Sequence, residues 1–245
     1  MRIIARLDVK NEFVIKGIHL EGLRKVGNPN SLALRYYQQG VDEIVFMDAV
    51  ASLYDRNNLY HIIESACEEV FVPIAVGGGI RTLDDISYAL DAGADKVIIN
   101  TGAIRDIQLI EKGARRYGSQ CIVGSIEAKK LPSSWEAYVD NGREPTSLDA
   151  LLWAQNLEKA GCGEILVTSI DQEGTNRGFD IDLLHNMNLI TNCPVIASGG
   201  YGKPDHLKKL LAKTSPSAVA FASALHYEKY TVDQIRSQIA DYTFV

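Results

Sequence analysis

A chain of 245 residues, 46% hydrophobic and 23% charged, has the composition of a globular protein large enough to bury a sizeable core. Its formal charge of −6, with no basic patch, counts against a nucleic-acid or anionic-membrane surface. Any phosphate would have to be held locally, by backbone N–H groups and helix starts. The N-terminus MRIIARLDVK is too short and too soon charged for a signal peptide, and no apolar run approaches a membrane span, which points to the cytoplasm.

In chain order, strand-like runs fall at IIARLDV (3–9), EIVFMDA (43–49), PIAVGGG (73–79), KVIIN (96–100), CIVGSIEA (121–128), EILVTSI (164–170), PVIASGG (194–200) and AVAFAS (218–223). They are nearly continuous in apolar character, as strands covered on both faces of a parallel sheet should be. Helical patterns lie between them: SLALRYYQQG, LYHIIESACEEV, TLDDISYALDAG, IQLIEKGARRYG, SLDALLWAQNLEKAG, FDIDLLHNM and KPDHLKKLLAK. Several open on a Ser, Thr or Asp cap and close on Gly. Eight such repeats predict a single (β/α)₈ barrel over residues 1–245, with no linker to divide it.

The halves resemble each other. Asp8 to Glu127 spans 119 residues, while Glu43 to Glu164 and Gly78 to Gly199 each span 121. Consistent offsets over three strand pairs predict a duplicated half-barrel, about 1–120 and 121–245. Asp8 and Glu127 then face each other at the carboxyl ends of the first and fifth strands, where such barrels carry their chemistry. Two carboxyls opposed over an apolar core can take different pKa values, one serving as acid and the other as base. Asp48, Asn100 and Asp171 share that rim, where a polar residue is as often a loop cap.

Glycines supply the second feature. VGGGI (76–80) and SGGYG (198–202) follow strands three and seven; INTGA (99–103) and FASAL (221–225) follow strands four and eight. Such turns let backbone amides approach an anion closely, and the same design on opposite sides suggests an elongated substrate with a phosphate at each end. The remaining candidates carry less. The cysteines at 67, 121, 162 and 193 form no CxxC pair and read as small buried hydrophobes in a reducing compartment. The five histidines (His19, His61, His185, His206, His226) show no triad or metal spacing and read as surface or helix residues; Trp135 and Trp153 read as packing residues.

The segments RLDVK…VIKG, VGGGIRTLDD, GADKVIIN, EILVTSIDQEGTNRGFD and ASGGYGK resemble the cyclase subunit of imidazole glycerol phosphate synthase, through essentially the whole chain. The resemblance implies a (β/α)₈ lyase/cyclase of histidine biosynthesis, with no cofactor and no metal. It implies that a bisphosphorylated ribulosyl-formimino aminoimidazole carboxamide ribonucleotide and ammonia become imidazole glycerol phosphate and an aminoimidazole carboxamide ribotide. The ammonia would come from a glutaminase subunit docked beneath the barrel, in a heterodimer. Carried onto this sequence, the family's base and acid fall on Asp8 and Glu127. One phosphate site falls on Gly79, Asn100 and Thr101, the other on Gly174, Gly200, Ala222 and Ser223. Lys16 matches a lysine of the mobile loop after strand one, Arg2, Glu43, Lys96 and Glu164 a charged gate at the barrel floor, and Asp95 the docking surface.

The sequence departs from that pattern in Glu127 and Glu173, where the family has Asp, and in His19 and Leu20, where it has asparagine and phenylalanine. These changes lie at the substrate end, and two further readings stay open. One is a paralogous barrel that activates a glutaminase and passes ammonia on to amidate a surface-polysaccharide sugar. The other is the related aldose–ketose isomerase, which needs neither gate nor partner.

Overall fold

The computed structural model describes residues 1–51 and 59–243. Eight parallel strands close on themselves: β1 (Arg2–Lys10), β4 (Glu43–Asp48), β5 (Ile74–Gly77), β6 (Lys96–Ile99), β7 (Ile122–Lys130), β10 (Glu164–Ser169), β11 (Val195–Ser198) and β12 (Ala218–Phe221). The last pairs with the first through Arg2↔Ala218 to Ala5↔Phe221. Helices run between them, including Pro29–Gln38, Tyr60–Cys67, Leu83–Asp91, Gln108–Tyr117, Ala150–Ala160, Ile181–Ile190 and Pro204–Lys213. Their starts follow the capping logic: Thr82 and Asp85 form a reciprocal box, and the carboxylates of Asp149 and Asp180 accept from the first-turn amides. Among the described residues no helix is long and apolar enough to cross a membrane.

Strand alternation sorts the side chains. One set faces outward against the helices and includes Ile3, Ala5, Leu7, Ile44, Phe46, Ile74 and Val76, packed with Leu32, Tyr36, Ile63, Ile86 and Leu157. The other fills the barrel. Ile4, Val45, Ala75, Ile98, Val123, Leu166, Ile196 and Ala218 give an apolar ring with one member from each strand. Size is distributed unevenly around it. On β12 the positions 218 and 220 are both alanine, beside a first strand that sends Arg2 and Arg6 inward. Small residues on one strand make room for long ones on the next, which keeps the interior filled.

Two further pairs of strands stand off the barrel. After β1, β2 (Phe13–Ile18) and β3 (Glu21–Gly27) form an antiparallel hairpin; after β7, β8 (Trp135–Val139) and β9 (Glu144–Asp149) form another. Each grows from the strand that carries one of the two opposed acids. The segment after the first strand that carries Lys16, expected above as a loop, is therefore largely hairpin. The hairpin tips use left-handed backbone at His19, Leu20 and Gly22 in the first, and at Asp140, Asn141 and Gly142 in the second. They are sequences without an obvious turn signal except the Asn-Gly of the second.

Trp135 does more than pack. Its Nε1 donates to Asp180 Oδ2 at 2.9 Å, tying the second hairpin to the start of helix Ile181–Ile190, which the same carboxylate caps through Leu183 N. Both residues are buried. Trp135→Phe keeps an aromatic ring but removes the indole N–H and strands a buried carboxylate oxygen, and should cost about 1–3 kcal/mol of stability in urea unfolding. A loss near zero would show that the bond contributes nothing.

Candidate active site

The first and fifth barrel strands deliver Asp8 and Glu127 to the carboxyl end of the barrel, both buried. Their surroundings differ. Asp8 Oδ1 accepts from Arg6 Nε at 2.8 Å, and its Oδ2 lies 3.9 Å from Lys16 Nζ. Burial alone would raise its pKa, yet Arg6 and then Lys16 outweigh that effect and hold the carboxyl below its ordinary value. Glu127 Oε2 accepts from Asn100 Nδ2 at 3.1 Å and from Gly142 N at 2.8 Å. Burial pushes its pKa up to about 7; Arg6 and the Gly142 amide oppose the rise, while Asp8 adds to it. Near neutrality one acid is a carboxylate and the other retains a proton in a large fraction of molecules.

Two glycine-rich recesses flank the pair. One, of about 560 Å³ and open to solvent, is lined by Asp48, Gly78, Gly79, Arg81, Asn100 and Thr101, with Glu127 at its inner wall. The second, about 320 Å³, is lined by Glu173, Gly174, Gly199, Gly200, Ala222 and Ser223. Both need glycine for close approach. At Gly78, with φ 94°, a Cβ would collide with the Asp48 backbone; at Gly200, with φ 101°, it would collide with the Gly178 carbonyl. Each recess is followed by a short helix, Thr101–Arg105 or Ser223–His226, whose first N–H groups have no intrahelical acceptor. A third hollow, of about 250 Å³, joins Asp8, Lys16, Leu20, Asn141 and Glu173.

Lys16 lies within the strand β2, is 5% exposed, and forms an ion pair with Glu173, itself buried. The lengthened acid at 173 is thus the partner of that lysine. The first hairpin is docked as well, since His19 N donates to the Glu173 carbonyl at 2.8 Å and its ring Nδ1 contacts the Ile170 carbonyl at 3.0 Å. Lys10 and Lys129, each two residues beyond an acid, are exposed, and Lys129 lies over the Tyr138 ring instead. Asp171 and Asp48 act as caps, accepting from Lys130 N and Val50 N at 2.8 and 2.9 Å.

At the opposite end, Arg2, Glu43, Lys96 and Glu164 form a closed ring. Glu43 accepts from Arg2 at 2.7 Å and from Lys96 at 2.9 Å; Glu164 accepts from Lys96 at 2.8 Å and pairs with Arg2. Charge alternates around it, so no member faces a like neighbour unscreened. Glu43 is 1% exposed, and its Oε1 accepts no hydrogen bond among the described residues. Asp95, next to the ring, is exposed at the strand-start face, with Oδ2 bound to Ile74 N at 2.8 Å.

Several contributors escape a reading by motif. Arg6, Thr168 and Ser198 are buried on three barrel strands, and Arg6 Nη1 donates to both hydroxyls. The second hairpin sends Asn141 to the first recess, and Gly142 to Glu127. Strand period marks the inward positions, and Asn141-Gly142 is a turn signal, but nothing local places that turn against Glu127. His206 and His226 lie in helices, as expected, but are buried rather than at the surface. Tyr36 Oη meets His226 Nδ1 at 2.7 Å, and burial first, then Lys16, lowers the His226 pKa to about 4.

The model of the histidine biosynthesis protein family matches residues 2–231. Among curated relatives, the imidazole glycerol phosphate synthase subunit HisF of Legionella pneumophila is 58% identical over 204 residues, which is 83% of this chain and 96% of that protein. The subunit of the same name from Dehalococcoides mccartyi strain 195 is 45% identical over 238 residues, covering 97% of this chain and 94% of its own. With the closed barrel and near end-to-end similarity in agreement, this chain is a member of the histidine biosynthesis protein family.

Proposed function

We propose that this chain is the cyclase subunit of an imidazole glycerol phosphate synthase. It would convert a bisphosphorylated ribulosyl-formimino aminoimidazole carboxamide ribonucleotide, with ammonia, to imidazole glycerol phosphate and an aminoimidazole carboxamide ribotide. The observation that carries the reading is the placement of two unequal carboxyls between two glycine-lined recesses. A carbonyl that condenses with ammonia must lose its oxygen as water, which needs a proton donor, and the nitrogen must shed a proton, which needs a base. Glu127 supplies the first and Asp8 the second. Gly79, Asn100 and Thr101 receive one phosphate, and Gly174, Gly200, Ala222 and Ser223 the other. Lys16 stands beside Asp8, where it can face the substrate between them. Holding both ends fixes the reacting centre over the acids.

The floor ring supports the origin of the nitrogen. Above Arg2, Glu43, Lys96 and Glu164 lies the apolar ring, so a small neutral amine crossing from the floor meets an apolar layer before the Arg6 guanidinium and the carboxyls. The unpaired Glu43 Oε1 is an acceptor for its N–H at the mouth. Both relatives named above are subunits, and the partner that fits here is a glutaminase seated on the face carrying Asp95. A four-charge gate and a docking face have no use in an aldose–ketose isomerase.

Ammonium salts alone, without a partner, should support turnover of the bisphosphate substrate. Asp8→Asn and Glu127→Gln should each lower kcat by about 10²–10⁴-fold, the range of a lost general acid or base. Full turnover by Asp8→Asn removes the acid–base assignment. A wild-type chain that activates a glutaminase but turns over none of this substrate favours amidation of a different acceptor, such as a sugar.

Measured at constant free ammonia, kcat/KM should fall on the alkaline side with a midpoint near the Glu127 value of about 7, because the donor is then lost. It should fall again in acid, below the ordinary aspartate value, as Asp8 takes up a proton. A rate that stays level through neutrality to alkaline pH contradicts the role given to Glu127.

A further inference from the structure

One inward side chain of β1 belongs to neither the recesses nor the floor. Arg6 is 2% exposed, two residues before Asp8 and two after Ile4 of the apolar ring. Its Nε donates to Asp8 Oδ1 at 2.8 Å; its Nη1 donates to Thr168 Oγ1 at 2.8 Å and Ser198 Oγ at 3.2 Å. Those hydroxyls lie on the sixth and seventh barrel strands, so the guanidinium spans from the first strand past the alanines of the eighth. Thr168 is in register with Glu127 on the neighbouring strand. A guanidinium this far inside is costly unless paired, and the carboxylate it hydrogen-bonds is Asp8.

The two acids see different company. Facing Asp8 are Arg6 on its own strand, Lys16 from β2, Glu173 from the segment after β10, His226 from the short helix after β12, and Glu127 across the barrel. Of the cations, Lys16 is 3.9 Å away and already paired with Glu173, whereas Arg6 is at 2.8 Å. His226 is held neutral at neutral pH. Facing Glu127 are the amides of Asn100 and Gly142, with Asp8, Asp140 and Arg6 acting only through space; among the described residues it makes no ion pair.

We propose that Arg6 is the positioning residue that makes the two carboxyls unequal: bonded to Asp8 and braced on Thr168 and Ser198, it fixes Asp8 as the charged, proton-accepting member and leaves Glu127 to carry the proton. This rests on Asp8 and Glu127 being the acid–base pair. Arg6 touches neither the recesses nor the floor, and acts through Asp8. Its planar fork allows it to hold the carboxylate and both hydroxyls at once, which a lysine ammonium at the end of a flexible stem does less well.

The test is Arg6→Met, with Arg6→Lys as the charge-retaining variant and Arg6→Gln as a polar substitute should the methionine protein not fold. Two measurements are made on each: the pH profile of ammonium-driven turnover, and titration of the Asp8 carboxyl by ¹³C NMR in the unliganded protein. In Arg6→Met or Arg6→Gln the Asp8 midpoint should rise by about one to three pH units. The acid limb of the profile should move with it, and kcat should fall by about a hundredfold with KM little changed. Arg6→Lys should return the midpoint and limb towards wild type while recovering part of kcat. An Asp8 midpoint unmoved in the uncharged variants overturns the proposal, as does an Arg6→Lys protein titrating like Arg6→Met. If wild type shows no ammonium-driven turnover, the proposed function falls, and the NMR titration alone still decides the role of Arg6.

Discussion

Charge inside a closed barrel must be neutralised within the barrel, because water reaches it poorly and an unpaired ion there is costly. This molecule meets that constraint at two levels with an apolar ring between them. At the floor, two cations and two anions alternate so that each acid contacts both bases. At the roof, Arg6, Asp8, Lys16 and Glu173 run cation, anion, cation, anion in a connected line. Glu127 stands outside that line. It has neutral hydrogen-bond donors in place of a counter-ion, and burial therefore favours its protonated form. The difference between the two carboxyls follows from which one is included in the neutralised set.

The paired construction of the fold makes that asymmetry legible. Each half sends a hairpin out of its first strand, each sets a glycine turn after its third, and each follows its fourth with a short helix. The hairpins are not interchangeable, however. The first brings Lys16 to Asp8 and closes against residues 170–174; the second brings the Gly142 amide to Glu127. Leu20 at the tip of the first lies against the Gly142 turn of the second, so the two meet above the site. A paired scaffold thus gives the two carboxyls different neighbours, Lys16 from the first hairpin beside Asp8 and the Gly142 amide from the second on Glu127.

Much of this was readable from the chain. Eight apolar runs separated by capped helical patterns gave the strands to within a residue or two, since parallel strands covered on both faces cannot hide their composition. Asp8 and Glu127 stood out because the matched offsets in the sequence make each the other's counterpart. The glycine turns at 78 and 200 stood out because nothing else fits there. The hairpins did not, because β3 and β9 are largely exposed and poor in β-branched residues, and offer little periodic signal. Arg6 is illegible in the sequence for the opposite reason. It sits in an otherwise apolar strand, and only the small alanines of a strand distant in sequence, with hydroxyls from two others, explain how its charge is accommodated. Such a residue becomes intelligible only once the barrel has closed.

Neutron diffraction from deuterated crystals at about pH 6, one unit below the Glu127 midpoint of about 7, locates the proton directly. The account predicts deuterium on a Glu127 carboxyl oxygen, none on Asp8, and a fully deuterated guanidinium aimed at Asp8. A deuterium on Asp8 with Glu127 bare, or both acids bare, would contradict it.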